Sequence, residues 1–576
     1  MPPPSRRKRC DRLADPRGRG GPRAAVTRSL SLSWAAAGVL GLWLGFPNDL
    51  LDAPPLVLLW PLSLAALGLG APDAGAAFRR GWLVSLAGGT AALYWLSLPV
   101  HDVGGLPWAL ALPCAVFIAA CITGAGGVFC AAARLWRGRP PWRLAAALAL
   151  LWYLLEYACA RLLGFPWLPL AGALAPWPLL VQTADTLGAY GTGALWLWAA
   201  LLALFCLPYP AGMDTGPPRA ARFFPGRLAA GAALAALTLG YGLWRLDATP
   251  LETAPQGPGS MAVLFVEGNV DQGQKWLPAM QRETVDLYCA LTERGLAALA
   301  GPPAPGAPAA PDAAAQRPLV IWPETALPFF FQTHLLAARV RGLVQQEQAP
   351  LLFGAPGVER RPAAASSAPG TPPPGPDIFN RAFLLAPDGR LIGWYDKEHL
   401  VPFGEYLPSW LDWPFLEALL QGVGVYAEGT SASPLRYGDL ALGMLICYEG
   451  IFPWLARERV AAGANILVDI SNDGWFRGTP ASRQHLYLTV LRALEQNRWL
   501  LRGTNTGISA VVDTRGRVTV RGPQFRAGTL AARARLNETP SRYNALAPWL
   551  PLAAVPGLGA LTLLRTGRRR NDATRA

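Results

Sequence analysis

The chain has 576 residues, of which 52% are hydrophobic and only 15% are Asp, Glu, Lys or Arg. Soluble globular proteins carry about 25% charged residues, so this composition argues against an ordinary cytosolic enzyme. The mean hydropathy of +0.24 and the 23 tryptophans indicate a membrane protein with aromatic anchors at the bilayer interfaces. The 51 basic and 37 acidic residues give a net charge of +14, and only Lys8, Lys275 and Lys397 are lysines.

Apolar segments dominate the first 250 residues. Because a helix needs about 20 apolar residues to cross a bilayer core, the sequence predicts seven spans, at roughly 30–47, 54–71, 82–100, 107–133, 144–163, 190–207 and 228–245. One further apolar stretch, at about 546–564, predicts an eighth span.

The loops between these spans differ in charge. Residues 1–28 hold nine basic residues, and arginines occupy alternate loops, whereas the loops at 48–53, 101–106 and 164–189 have no Lys or Arg. By the positive-inside rule, both termini are cytoplasmic and the large region after the seventh span lies on the far side of the membrane. The predicted cytoplasmic pieces carry +18, which leaves −4 for the remainder. The basic charge therefore reports topology and does not indicate nucleic-acid binding.

Beyond residue 250, short apolar runs alternate with helical patterns, which predicts a layered α/β domain. The predicted strands are 261–267, 318–322, 351–355, 382–386, 440–446, 465–470 and 507–513, and the predicted helices lie near 276–300, 333–348 and 480–500. Two segments rich in Pro, Ala, Gly and Ser, 302–317 and 359–377, are predicted to be disordered insertions.

The sequence thus predicts four regions. They are a basic cytoplasmic tail, a membrane domain of about seven helices, an extracytoplasmic catalytic domain, and a final transmembrane helix with a basic tail, at 1–28, 29–250, 251–545 and 546–576.

Reactive side chains follow several predicted strands. Glu324 ends the segment IWPE, where partial burial would raise its pKa toward that of a general base. Lys397, in WYDKEH, could stabilise an oxyanion as a compact point charge. The alternatives are a helix cap or loop salt bridge for Glu324, and a solvated ion pair with Asp396 or Glu398 for Lys397.

Cys447 follows the apolar run LALGMLI and precedes a helical pattern that begins near Pro453. A helix dipole at this position would favour the thiolate, as a nucleophile requires. A buried structural cysteine is the alternative. The loop SNDGWF at 471–476 follows another strand, and its Trp475 and Phe476 could instead be packing aromatics. The four histidines are too scattered to form a convincing ligand set, so we expect no metal and no cofactor.

Taken in order, the segments WPE, DKEHLVPFGEY, CYE and SNDGWF, after seven predicted spans, resemble the apolipoprotein N-acyltransferase family. This family is an integral membrane branch of the nitrilase-like superfamily, and the resemblance covers nearly the whole chain. It implies an αββα sandwich seated on a bundle of about eight membrane helices.

The resemblance also implies roles for individual residues. Glu324 matches the general base, Lys397 the oxyanion-stabilising lysine and Cys447 the nucleophile. The family's supporting active-site residues are matched by Glu405, Tyr448 and Glu449. Its lipid-facing aromatics are matched by Trp276 and Trp475.

The reaction that the resemblance implies moves an acyl chain from a membrane phospholipid, through a Cys447 thioester, to the N-terminal amine of a diacylglyceryl-cysteine lipoprotein. The enzyme would lie in the bacterial inner membrane with its catalytic domain facing the periplasm. Two alternatives stay open from sequence: a membrane-tethered nitrilase-type amidase that acts on a small amide, and a non-catalytic membrane protein that binds a ligand.

Overall fold

The computed structural model describes residues 22–102, 104–206, 224–300, 317–359, 376–402, 404–406 and 426–563. The predicted disordered insertions at 302–317 and 359–377 lie almost entirely outside these residues. So do the first 21 residues of the basic N-terminal tail and the basic C-terminal tail.

An apolar helix lies at each predicted span. The α-helices of the membrane region are α1 (Pro22–Gly45), α2 (Leu59–Leu69), α3 (Ala74–Ala92), α4 (Ser97–Asp102), α5 (Trp108–Leu135), α6 (Pro141–Ala158), α7 (Leu170–Leu174), α8 (Ala184–Leu204) and α9 (Pro225–Asp247). The chain leaves α6 through a π-helical turn, Cys159–Leu163, and a glycine in left-handed conformation at Gly164.

The described helices differ in their capacity to span a bilayer. Those long and apolar enough are Trp108–Leu135, Pro141–Leu163, Ala184–Leu204 and Pro225–Asp247. The pair Ala74–Ala92 and Tyr94–Asp102 meets the same test jointly but is bent by 65°, and Ser29–Gly45, Pro54–Leu69 and Trp549–Leu563 are shorter. The apolar helical region is therefore confirmed, whereas the count of eight spans stays a prediction.

Two six-stranded sheets form the second half of the chain. The strands are β1 (Ser260–Glu267), β2 (Leu319–Ile321), β3 (Leu351–Glu359), β4 (Asp377–Leu385), β5 (Leu391–Asp396), β6 (Leu435–Tyr437), β7 (Leu440–Ile446), β8 (Ile466–Ser471), β9 (Leu500–Thr504), β10 (Ala510–Val512), β11 (Val518–Arg521) and β12 (Gly528–Arg535). Their orders are β12-β1-β2-β3-β4-β5 and β11-β10-β9-β8-β7-β6. In each sheet three central strands run parallel, and the outer strands pair antiparallel.

Helices cover both outer faces of the paired sheets. The first sheet packs against α10 (Pro278–Ala300) and α11 (Ala337–Glu347), and the second against α12 (Pro453–Ala461) and α13 (Ala481–Gln496). Apolar side chains of both sheets, among them Phe265 and Ile446, form the core between them. The predicted αββα sandwich is thus present. Two short helices, α14 (Arg542–Leu546) and α15 (Trp549–Leu563), complete the described chain.

One predicted helix is too long. The pattern at 480–500 predicts a single helix, but α13 ends at Gln496 because Asn497 takes a left-handed conformation, with φ of 52°. Residues 500–504 then form β9, a fully buried strand at the centre of the second sheet.

Gln484, on α13, joins the sandwich to the membrane helices. Its Oε1 accepts hydrogen bonds from the indole nitrogens of Trp95 (3.1 Å) and Trp167 (2.9 Å). Its Nε2 donates to the carbonyls of Pro47 and Ala92, both at 3.2 Å. One buried amide therefore satisfies two donors and two acceptors of the membrane region.

We expect Gln484→Leu to lower stability, because two buried indole N–H groups and two backbone carbonyls would lose their partner. Each such group costs about 1–3 kcal/mol when left unsatisfied, so a loss of about 2 kcal/mol or more should appear as a lower temperature of aggregation in detergent. The control is Gln345→Leu, since Gln345 is exposed and bonds only a surface carbonyl. Equal melting of the two variants would show that the Gln484 bonds do not stabilise the junction.

Candidate active site

The three predicted catalytic side chains follow strands of both sheets. Glu324 lies three residues beyond β2, Lys397 directly follows β5, and Cys447 directly follows β7. Strand β3 passes so close to the Glu324 turn that a Cβ on Gly354 would lie 2.5 Å from the backbone nitrogen of Thr325. Glycine is therefore required at this position of β3 for the turn to hold the Glu324 side chain in the site.

Lys397 is buried between two carboxylates. Its Nζ lies 2.9 Å from Glu405 and 3.5 Å from Glu324 Oε1. Burial alone would lower the Lys397 pKa, but Glu405 and Glu324 outweigh it and raise the pKa above its ordinary value. Lys397 is therefore a fixed positive charge at any physiological pH. The alternative, a solvated ion pair of Lys397 with Asp396 or Glu398, is not found, because those carboxylates bond Arg381 and Arg459.

Asn380 bonds both carboxylates and fixes their positions relative to each other. Located on β4, it donates from Nδ2 to Glu324 Oε1 and to Glu405 Oε1, both at 2.7 Å. Its backbone carbonyl also accepts from the Lys397 amide at 2.9 Å. The sequence offers no signal for this residue, because nothing in the run FNRAF marks an active-site amide.

The two glutamates differ in how their oxygens are used. Both oxygens of Glu405 are bonded, since Oε2 also accepts from the Val401 amide at 2.8 Å. Glu324 Oε2 is buried and has no hydrogen-bond partner among the described residues. Glu405 is thus fixed as a counterion, whereas Glu324 keeps one oxygen available for a proton.

Cys447 begins a tight turn, Cys447–Ile451, with a backbone φ of +55°. Its carbonyl accepts a hydrogen bond from His485 Nε2 at 3.1 Å. Burial and the Glu324 carboxylate raise the pKa of the thiol well above its ordinary value, and Lys397 opposes them only in part. The expectation that a helix dipole favours a resting thiolate is therefore wrong: the thiol is protonated and needs a base.

Glu449 connects the turn of Cys447 to the loop that follows Lys397. Its carboxylate accepts from the backbone amides of Ile446 (2.8 Å), Glu398 (2.8 Å) and His399 (3.0 Å). Tyr395 donates its hydroxyl to the same carboxylate at 2.8 Å. Glu449 is fully buried, and its bonds to Tyr395, Glu398 and His399 fix the chain before and after Lys397.

The remaining predicted residues are Tyr448, Trp276 and Trp475. Tyr448 donates its hydroxyl to the carbonyl of Gly164, beyond α6. Trp276 is 41% exposed and Trp475 is half-buried, in a turn that follows β8. Their predicted contacts with lipid stay predictions.

Lys275 is a buried residue of the site that the sequence analysis did not single out. Its Nζ donates to the hydroxyl of Thr325, which follows Glu324. Burial lowers the pKa of Lys275 to about 8, against the opposing effect of Glu324. The scarcity of lysine in the sequence was a signal for this residue as well as for Lys397.

Two histidines, His399 and His485, lie near Cys447. Burial and Lys397 lower the pKa of His399 to about 4, so its ring is neutral at physiological pH. His485 Nδ1 lies 3.1 Å from Asp473 Oδ1, and its Nε2 bonds the carbonyl of Cys447. Among the described residues, no group of three or more His, Cys, Asp or Glu side chains could hold a metal ion.

Comparison with known proteins identifies both halves of the chain. Residues 37–202 match the family described as the apolipoprotein N-acyltransferase N-terminal domain, and residues 274–541 match carbon-nitrogen hydrolase. The apolipoprotein N-acyltransferase of Geobacter metallireducens is 33% identical over 548 residues, which cover 95% of this chain and 97% of the relative. The enzyme of Bordetella bronchiseptica is 34% identical over 516 residues, covering 84% and 88%.

The chain belongs to the apolipoprotein N-acyltransferase family. This confirms the family predicted from the motifs, and the full-length relatives favour it over the amidase and ligand-binding alternatives.

A solved carbon-nitrogen hydrolase from Helicobacter pylori aligns with 51% of this chain and 94% of its own length, at 16% identity and a TM-score of 0.33.

The ionisation of Cys447 should respond in opposite directions to its two charged neighbours. Because Glu324 raises the pKa of the thiol and Lys397 lowers it, Glu324→Gln should move the pH midpoint of iodoacetamide alkylation down, and Lys397→Met should move it up. Alkylation follows the thiolate and is measured across a pH series by mass spectrometry of the Cys447 peptide.

The control for this experiment is Glu283→Gln, an exposed position on α10, which should leave the midpoint unchanged. A common midpoint for Glu324→Gln, Lys397→Met and the parent would contradict the electrostatic coupling.

Proposed function

We propose that this protein transfers an acyl chain from a membrane phospholipid to the N-terminal amine of a diacylglyceryl-cysteine lipoprotein, through a thioester on Cys447. Membership of the family supports the acceptor and the membrane setting. The observation that carries the chemistry is Glu324 Oε2, which has no hydrogen-bond partner among the described residues, in a buried site that also holds Lys397 and the Cys447 thiol.

The first half-reaction forms the thioester. Glu324 takes the proton from the Cys447 thiol as sulfur attacks an ester carbonyl of the phospholipid. Lys397 stabilises the oxyanion of the tetrahedral intermediate. The C–O bond then breaks, the leaving alkoxide takes the proton back from Glu324, and a lysophospholipid departs.

The second half-reaction uses the same groups. The lipoprotein amine attacks the thioester carbonyl, and Glu324 accepts the proton that the amine loses. Thiolate leaves and recovers a proton, which restores the resting site. A thioester suits this step because thiolate is a better leaving group than alkoxide when an amine attacks.

The membrane helices have a chemical purpose in this proposal. Both substrates are lipids, and each buried methylene holds them in the bilayer by about 0.8 kcal/mol. A catalytic domain fixed to the bundle lets the acyl chains stay in hydrocarbon. We extend the proposal to eight spans, to the bacterial inner membrane, to a catalytic domain that faces the periplasm, and to the four regions predicted from sequence.

Trapping the acyl group tests the proposal directly. Purified protein incubated with phospholipid alone should gain the mass of one acyl chain on Cys447, and adding a diacylated lipopeptide should discharge it to an N-acylated product. Cys447→Ala should show neither, whereas Cys121→Ser, an exposed cysteine in α5, should behave as the parent. An unacylated parent protein and no lipopeptide product would exclude this function.

Lys397→Ala should reduce kcat by about 10²–10³, the usual cost of losing an oxyanion donor. Asn380→Ala should give a smaller loss of roughly tenfold to a hundredfold, because it removes one donor each from Glu324 and Glu405. Rates are measured as N-acylated lipopeptide formed at saturating phospholipid, with Arg390→Gln as an exposed control. Unchanged rates in both variants would contradict the assigned roles.

A further inference from the structure

A cavity lies where the membrane helices meet the sandwich. It has a volume of about 70 Å³ and is lined by the end of α6, by α8, by α12 and by the segment before α15. None of the catalytic residues Glu324, Lys397 and Cys447 lines it. The cavity is therefore distinct from the acyl-transfer site.

Two arginines from different parts of the fold converge on this cavity. Arg161 comes from the π-helical turn after α6, and Arg457 from α12 of the sandwich. Neither forms an ion pair within the part of the chain that the structure describes. The tyrosines Tyr157 and Tyr543 add ring surface and hydroxyl groups to the same wall.

Aromatic rings hold Arg161, and none of the carboxylates in the described ranges pairs with it. Its guanidinium carbon lies 3.9 Å from the ring centroid of Trp454 and 5.8 Å from that of Tyr157. An arginine at a helix end could simply extend toward water, but here cation–π contacts fix it against the sandwich. Its N–H groups therefore keep their capacity to bind an anion.

The surroundings place this cavity at the level of lipid headgroups. Arg161 lies in the last turn of Pro141–Leu163, a helix long and apolar enough to cross a membrane. The next residues, Leu162 and Leu163, are 82% and 50% exposed, and Trp549, at the start of α15, is 65% exposed. Exposed leucines and a tryptophan beside a cation are typical of a membrane interface.

We propose that this cavity binds the phosphate of a glycerophospholipid, with Arg161 and Arg457 as the phosphate ligands. Arginine pairs with phosphate oxygens in a bidentate manner, and basic pockets between membrane helices bind lipid headgroups. The exposed Leu162 and Leu163 lie against the acyl chains. Because of these leucines, the phosphate comes from a lipid rather than from free phosphate.

A row of rings connects this headgroup site to the nucleophile. Trp454 lies 4.8 Å from Phe452, and Phe452 lies 5.0 Å from Tyr448, the residue after Cys447 (ring centroids). Resting on the proposed function, the bound lipid is an acyl donor held next to the active site before its ester reaches Cys447.

Binding is tested without turnover, in full-length Cys447→Ser protein in an uncharged detergent. Calorimetric titration with dihexanoylphosphatidylglycerol should give a dissociation constant about tenfold higher after Arg161→Gln with Arg457→Gln. Arg161→Lys should lose less than Arg161→Gln, and Arg390→Gln should lose nothing. Equal affinity in the double variant, or equal binding of dihexanoylglycerol, which lacks phosphate, would overturn the proposal. Displacement by equimolar inorganic phosphate would overturn the lipid source.

Turnover separates this proposal from the proposed function. In the otherwise native protein, the double variant should raise KM for the phospholipid donor about tenfold and leave kcat and the KM for lipopeptide unchanged. Unchanged donor KM with normal acyl transfer would contradict the headgroup site alone. Intact lipid binding in a protein that transfers no acyl group would contradict the proposed function alone.

Discussion

The active site depends on the burial of one lysine between two glutamates. An isolated charge in a protein interior is strongly unfavourable, so a buried charge persists only with partners that compensate it. Lys397 has Glu405 and Glu324 as those partners, and Asn380 bonds both carboxylates. Moving a proton from the Cys447 thiol to Glu324 leaves the summed charge of Cys447, Glu324, Glu405 and Lys397 unchanged. Burial opposes formation of the Cys447 thiolate, and the positive charge of Lys397 offsets that opposition in part.

Helix α13 couples this charge group to the membrane region. Its His485 bonds the carbonyl of Cys447, the adjacent Gln484 bonds four groups of the membrane region, and Glu495 accepts from the Ala189 amide of α8 at 2.8 Å. Tyr448 bonds Gly164 from the nucleophile's own turn. The turn that carries Cys447 is thus fixed to the helices of the membrane region.

Sequence reasoning located the residues that terminate strands, because an apolar run followed by a reactive side chain is visible without an alignment. Glu324 and Cys447 lie beyond β2 and β7 as predicted. Asn380 was missed because it sits within β4 and acquires its role only when β5 and the Glu324 turn pack beside it. The direction of the thiol pKa shift was predicted wrongly because the local dipole is visible from the sequence, whereas the full burial of Cys447 and the Glu324 carboxylate from the facing sheet are not.

The lysine scarcity has a physical explanation in this site. Both lysines in the described part of the chain, Lys275 and Lys397, are buried around Glu324, although the sequence holds 48 arginines. A guanidinium stays charged and spreads its donors in a planar fork, whereas an ammonium is compact and changes its pKa with its surroundings. Lys397 needs compactness to reach two carboxylates and still face an oxyanion. Lys275 has a pKa of about 8, so it can lose its proton near physiological pH. An arginine beside Glu324 would stay charged.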